Sequence, residues 1–210
     1  MSWQRWCDTA IQEESMTIYR SLHASILPAQ TRLCEVDLGR PTHVDMDAPA
    51  TAVMTDLRRV SAVTISPDAT VDLAQQRMIH ARVRLLLVVG ANDDVQGIVT
   101  ARDLLGEKPI RIAVSDGTPR DAVLVERVMV PHEQIQVLDY NEVQHSSVGD
   151  VVMTLRASGR QHALVLERGG VPTIRGIFST TQIGRQLGSP IEATERPQSF
   201  AEVEHLLAAS

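Results

Sequence analysis

Thr100 and Asp103 stand three residues apart where a short helical pattern begins, which sets a hydroxyl and a carboxylate on one face of its first turn. A carboxylate can accept from two neighbouring hydroxyls at once, and such charge-assisted bonds are roughly twice as strong as neutral ones. Backbone N–H groups and partial positive charge at a helix start favour an anion beside them. The same two residues also form a plain capping box, worth about 0.5–2 kcal/mol with no ligand at all. A second pair, Ser179 and Gln182, repeats the spacing and satisfies the box equally well. Gln182 is neutral and presents one carbonyl oxygen, so it cannot match a carboxylate holding two hydroxyls. Capping accounts for both pairs, whereas diol recognition accounts for the first alone. The expectation is asymmetric: a competent first site, and a second that is weak or empty.

Both pairs sit inside a longer repeat. Gly97-Ile98-Val99-Thr100-Ala101-Arg102-Asp103-Leu104 and Gly176-Ile177-Phe178-Ser179-Thr180-Thr181-Gln182-Ile183 follow one pattern, each after an apolar strand and a tight turn. Copies this far apart in sequence are too long for a solenoid unit and read as a duplicated small domain. In the first copy, Ala62-Val63-Thr64-Ile65-Ser66 reads as a strand and Thr70 as a helix N-cap. Val71, Ala74, Met78 and Ile79 then form an inward apolar stripe. Leu85–Val89 is a buried strand, Asn92-Asp93-Asp94 a turn, and 95–99 the returning strand. A second helix begins at Arg102 and is expected to stop at Gly106 and Pro109. The second copy repeats this order, with a strand over 135–138, a helix capped by Ser147 and a left-handed stop at Gly159. A hairpin and a last helix over 183–187 complete it. The layout predicts an α+β fold of two β-α-β-β-α repeats packed about a pseudo-twofold axis, with ligands in the clefts between them.

The expected organisation is an arm over 1–50, repeats over 51–110 and 125–188, a surface linker over 111–124 and a tail over 189–210. The arm, interrupted by Pro28, Gly39, Pro41 and Pro49, is expected to be partly disordered, with a short helix over 8–19 and Trp3, Trp6 and Tyr19 as a docking handle. In the tail, Ser199 can cap an amphipathic helix bearing Phe200, Val203, Leu206 and Leu207.

Composition narrows the function classes. A net charge of −6 and 3 % aromatic residues argue against nucleic acid as a partner. Two cysteines, Cys7 and Cys34, offer no disulfide framework, and His132, His145 and His205 show no metal spacing. No apolar run is long enough to span a bilayer and the N-terminus lacks a secretory layout, so a cytoplasmic location is expected. No nucleophile or phosphate-loop signature appears, and no catalytic residue is assigned.

The two repeats resemble the cystathionine β-synthase (CBS) domain, present as a tandem pair. The resemblance rests on the strand–helix–strand–hairpin order, the Gly-apolar-apolar-Thr/Ser-x-x-Asp pattern and the leading segments Ala52-Val53-Met54-Thr55 and Arg127-Val128-Met129-Val130-Pro131. It covers roughly residues 50–188, with Leu87 where the family often carries proline. It implies a regulatory module without catalysis, forming homodimers and signalling to a protein partner. It also implies an adenosine ligand such as AMP, ADP, ATP or S-adenosylmethionine. For the first site it implies Thr64, Ile65, Leu86 and Ile98 around the adenine, Asp103 on the ribose, and Thr100, Arg84 and Leu85 toward phosphate, with Arg102 near by. The second, weaker set is Val137, Arg160, Gln161, His162, Ala163, Ser179 and Gln182. The alternative is a ligand-free structural adaptor whose clefts are filled by its own side chains, for which Arg84 or His162 folded into a cleft would be the mark.

Overall fold

The first strand among the described residues joins the sheet of the second repeat. In the computed structural model, which describes residues 41–191, β1 (Thr55–Asp56) pairs antiparallel with β8 (Thr173–Ser179). Its counterpart β5 (Val130–Pro131) leads into the second repeat and pairs antiparallel with β4 (Val95–Thr100) of the first. The first sheet is completed by β2 (Thr64–Ile65) and β3 (Leu85–Val89), in the order β2-β3-β4-β5. The second contains β6 (Val137–Asp139) and β7 (His162–Glu167), in the order β1-β8-β7-β6. Each sheet therefore holds one parallel pair, one hairpin and one strand donated from the other half.

The parallel pairs need a crossover, because two parallel strands cannot be joined by a tight turn. Helix α1 (Val71–Ala81) supplies it between β2 and β3, and α6 (Val148–Ser158) supplies it between β6 and β7. Thr70 accepts from the N–H of Leu73 to cap α1, and Ser147 with Asp150 makes a full capping box on α6. Helix α6 ends at Gly159 with φ 64°, the left-handed conformation that glycine adopts at no steric cost. Helices α2 (Ala101–Leu105) and α7 (Thr180–Leu187) follow the two hairpins.

Alternation along the strands distributes the apolar side chains among three clusters. Leu86 and Val88 join Val71, Ala74, Met78 and Val99 in the core of the first repeat. Val165 and Phe178 join Val148, Val151, Val152, Leu155 and Ile183 in the second. Leu85, Leu87 and Leu164 meet in a third cluster, with Ile98, Ile135, Val137 and Ile177 packed around them, and this cluster draws on both halves. The leading segments interlock the repeats. Ala50, Val53 and Met54 are buried in the second repeat's core, and Val125 and Val128 in the first's. A side chain on the repeated glycines would collide with these segments. A Cβ at Gly97 meets the Val130 carbonyl oxygen at 2.6 Å and Met129 Sδ at 2.9 Å, and one at Gly176 overlaps the Met54 side chain. The glycine of each repeat thus makes room for the leading methionine beside the strand that crosses over.

Several expectations are corrected. Residues in the stretch read as a surface linker fold as α3 (Glu107–Asp116), and α4 (Val125–Val128) follows it. Pro109 does not stop a helix there. It lies in the first turn of α3, where its missing N–H would have had no intrahelical partner. Ile79 is 69 % exposed and faces outward, because Met78 beside it takes the inward position. A short helix that the periodicity did not suggest, α5 (Tyr140–Gln144), is inserted between β6 and α6 and capped by Asp139. The expectations for 1–40 and for 192–210, including the helices over 8–19 and 199–207, fall outside the described residues.

Candidate functional site

Two clefts arise where the start of α2 or α7 approaches the other repeat. Thr100 caps α2 as the spacing predicts. Asp103 Oδ2 accepts from the Thr100 hydroxyl at 2.6 Å and from its backbone N–H at 2.8 Å, while Thr100 Oγ1 accepts from the Asp103 N–H at 3.4 Å. Asp103 Oδ1 takes no part in this box. The capping reading is therefore realised, and it leaves the second carboxylate oxygen outside it.

Beside this pair lies the first cleft, with Leu85, Ile98, Ile135 and Leu164 as its apolar wall and Arg102, Arg160, Gln161 and His162 as its polar rim. The pre-strand residues have changed places relative to the sequence reading. Gln161, His162 and Arg160, expected in the second site, line the first cleft with Thr100 and Asp103. Arg84, expected in the first, donates to Gln161 Oε1 at 3.0 Å and to Thr181 Oγ1 at 3.4 Å, and lines the second cleft with Thr180, Thr181 and Arg185. The reason is the fold's internal symmetry. Leu85 pairs with Thr100 and His162 with Ser179, so Arg84 and Gln161 hold equivalent positions, each turned toward the opposite repeat.

Other expected residues fall elsewhere. Ile65 and Leu86 are buried in the first repeat's core, and Thr64 pairs with Leu87 in the parallel register. Val137 belongs to the cluster between the halves, and Ala163 packs against the second core. The Ser179 box does not form: Ser179 makes no side-chain cap, and Gln182 Oε1 instead accepts from the Thr55 hydroxyl at 3.1 Å. Thr55 belongs to β1, the donated strand, so a long-range contact overrides the local one. Sequence reasoning also missed as site residues Val130, in the second leading segment, and Gln134, Ile135 and Gln136 just after it, all of which line the first cleft. The signal for Val130 was the match of that segment to the first.

The acidity of His162 in this cleft departs clearly from its ordinary value. Burial, and then the nearby positive charge of Arg84, lower its pKa from 6.5 to about 4, so it is neutral at pH 7. Elsewhere, Arg175 on β8 is 8 % exposed, bonded to Asp56 and stacked 4.9 Å from the Tyr140 ring, where it ties β1 to β8. Among the described residues no helix is long and apolar enough to cross a membrane, and no group of three or more His, Cys, Asp or Glu is placed to hold a metal ion.

A family model, the CBS domain, matches residues 50–109. A solved structure of a conserved protein from Pyrococcus horikoshii is similar in fold, at 22 % identity and TM-score 0.50, over 74 % of this chain and 99 % of that one. The CBS-domain containing protein ATU1752 from Agrobacterium tumefaciens aligns at 22 % identity and TM-score 0.49, over 67 % of this chain and 94 % of that one. The CBS-pair protein CBSX2 from Arabidopsis thaliana, solved in complex with AMP, aligns at 19 % identity and TM-score 0.48, over 66 % and 94 %. No curated protein matches the chain in sequence. The CBS-domain model thus matches the first copy, and the second half of the described chain repeats that copy's strand order and its donated strand.

Proposed function

We propose that this chain is a regulatory module that holds an adenosine-containing ligand in its first cleft and relays the change to a protein partner. It carries out no chemistry of its own. The observation that supports this most is the convergence on one cleft of a carboxylate, a hydroxyl, a cation and a neutral imidazole opposite an apolar wall. Asp103 is the acceptor for a ribose diol, Thr100 offers a hydroxyl, and Arg160 with His162 meets phosphate. Leu85, Ile98, Ile135 and Leu164 suit the flat face of a base. AMP, ADP, ATP and S-adenosylmethionine are the ligands of this class. A homodimer in the cytoplasm is part of the same reading.

For the second cleft a different reading is favoured. Arg84 is already bonded to Gln161 and Thr181 there, and Gln182 is held by Thr55, so the polar groups expected to meet a ligand are engaged with the protein's own side chains. A ligand that binds only the folded chain stabilises it by about 2.7 kcal/mol at a hundredfold excess over its Kd. Thermal melting of the full chain against AMP, ATP and S-adenosylmethionine, followed by calorimetric titration, tests the proposal. One site per chain is expected; no stabilisation by any of them favours the adaptor reading.

A further inference from the structure

A third cavity, of about 490 Å³, shares no lining residue with either cleft and falls within the size range of small-molecule sites. Arg59, just after β1, and Arg175, on β8, bring two cations to it against one carboxylate, Asp56. Both cations keep bonding capacity. Arg175 is 8 % exposed and donates through Nη1 to Asp56, but its Nε has no hydrogen-bond partner and stands 3.6 Å from Glu167 Oε2. A buried donor left unbonded in a folded protein calls for an explanation. The Arg59 side chain is 63 % exposed, and its Nε lies 3.8 Å from Asp56 Oδ2, beyond hydrogen-bond reach. Pro49, Ala52 and Val60 give the cavity an apolar side, and Gln144 of α5 adds an amide.

We infer that this cavity binds a small organic monocarboxylate, a ligand separate from any adenosine compound in the first cleft. Guanidinium groups take carboxylates through paired N–H donors, and such charge-assisted bonds are the strong ones. Two arginines against Asp56 leave a single net positive charge, which one carboxylate balances. A doubly charged phosphate would leave excess negative charge beside Asp56. The apolar side suits the hydrocarbon part of the ligand. The cluster is also particular to the second repeat. Asp56 pairs with Gly176, which Arg175 precedes; in the first repeat Pro131 pairs with Gly97, which Gln96 precedes. The ion pair therefore has no counterpart there, and α5 has none between β2 and α1. Repetition of the fold does not require these residues. A carboxylate held by Arg59 and Arg175 would fasten the donated strand β1 to β8 and α5, so occupancy stabilises the interlock of the two repeats.

An NMR titration of the isotope-labelled full chain with benzoate and with isovalerate, at constant ionic strength, tests this. Benzamide and isovaleramide are the uncharged controls, and inorganic phosphate is a second anion. The expected result is saturable amide shifts at Arg59, Tyr140 and Gln144 with at least one carboxylate and none with its amide, together with a raised melting temperature. Arg59→Gln, at a side chain exposed enough for the fold to be kept, should weaken binding about tenfold, the worth of one hydrogen bond to a charged group. Arg59→Lys, which keeps the charge without the paired donors, should recover only part of that loss. Shifts centred on Asp103 and His162 assign the carboxylate to the first cleft and overturn the proposal. So do saturation by phosphate alone, an equal response to the amides, unchanged binding by Arg59→Gln, and no response to either carboxylate. AMP in the same assay reads the first cleft separately, so failure at one site is told apart from failure at the other.

Discussion

Arg84 donates a 3.0 Å hydrogen bond to Gln161 Oε1, and these two residues occupy equivalent positions in the two repeats. Each directly precedes the first strand of its hairpin, so the bond crosses the internal symmetry and joins one cleft to the other. Arg84 also helps to keep His162, in the first cleft, uncharged.

Removing that charge has a readable consequence. Arg84→Leu raises the pKa of His162 from about 4 toward 6.5, stopping short because burial, the larger cause, persists. An NMR titration of the imidazole measures the shift, and an unchanged midpoint would separate the two residues electrostatically. The stability cost is small, about 1 kcal/mol or less, since the pair is exposed.

The pH dependence of folding follows from the same histidine. Between pH 6.5 and about 4 the unfolded chain binds a proton at His162 and the folded chain does not, so stability falls as the pH drops through that window. At 1.36 kcal/mol per unit the loss is at most about 3 kcal/mol, and less because the ring is only partly buried. His162→Gln should flatten the unfolding free energy from pH 6.5 to 4 relative to the parent; a parallel decline in both would assign the acid sensitivity elsewhere.

The two capping boxes provide an internal control for the proposed ligand. Asp103 and Asp150 make the same box, with Thr100 and Ser147, and Asp150 does not line the first cleft. Asp103→Ala and Asp150→Ala should each lower stability by about 0.5–2 kcal/mol. Titration calorimetry with AMP or ATP should show binding lost in Asp103→Ala alone. Equal binding in the two variants removes Asp103 from the site.

Gly97→Ala should destabilise the fold more than Gly176→Ala. The new methyl at Gly97 meets a backbone oxygen, Val130 O, at 2.6 Å, whereas at Gly176 it meets the flexible side chain of Met54. Overpacking of this kind costs about 1–3 kcal/mol, and denaturant melts of the two variants give the order. Equal midpoints would show that β5 moves aside as readily as a methionine does.

The duplication, the strand–helix–hairpin–helix order within each repeat, the caps at Thr70, Thr100 and Ser147, and the stop at Gly159 were legible in the residues, because each rests on spacing or on chemistry within a few positions, whereas α3, α4 and α5 were not. Pro109 and Ile79 misled for a local reason as well: a proline is tolerated in a first turn, and two adjacent apolar residues compete for one inward position. The exchange of β1 and β5, the turning of Arg84 toward the second cleft and the capture of Gln182 by Thr55 were decided by tertiary structure. They depend on partners 127 residues apart for Thr55 and Gln182 and 97 apart for Arg84 and Thr181. Sequence periodicity records which side of an element is apolar; it carries no record of which element from the other repeat will come to lie across it.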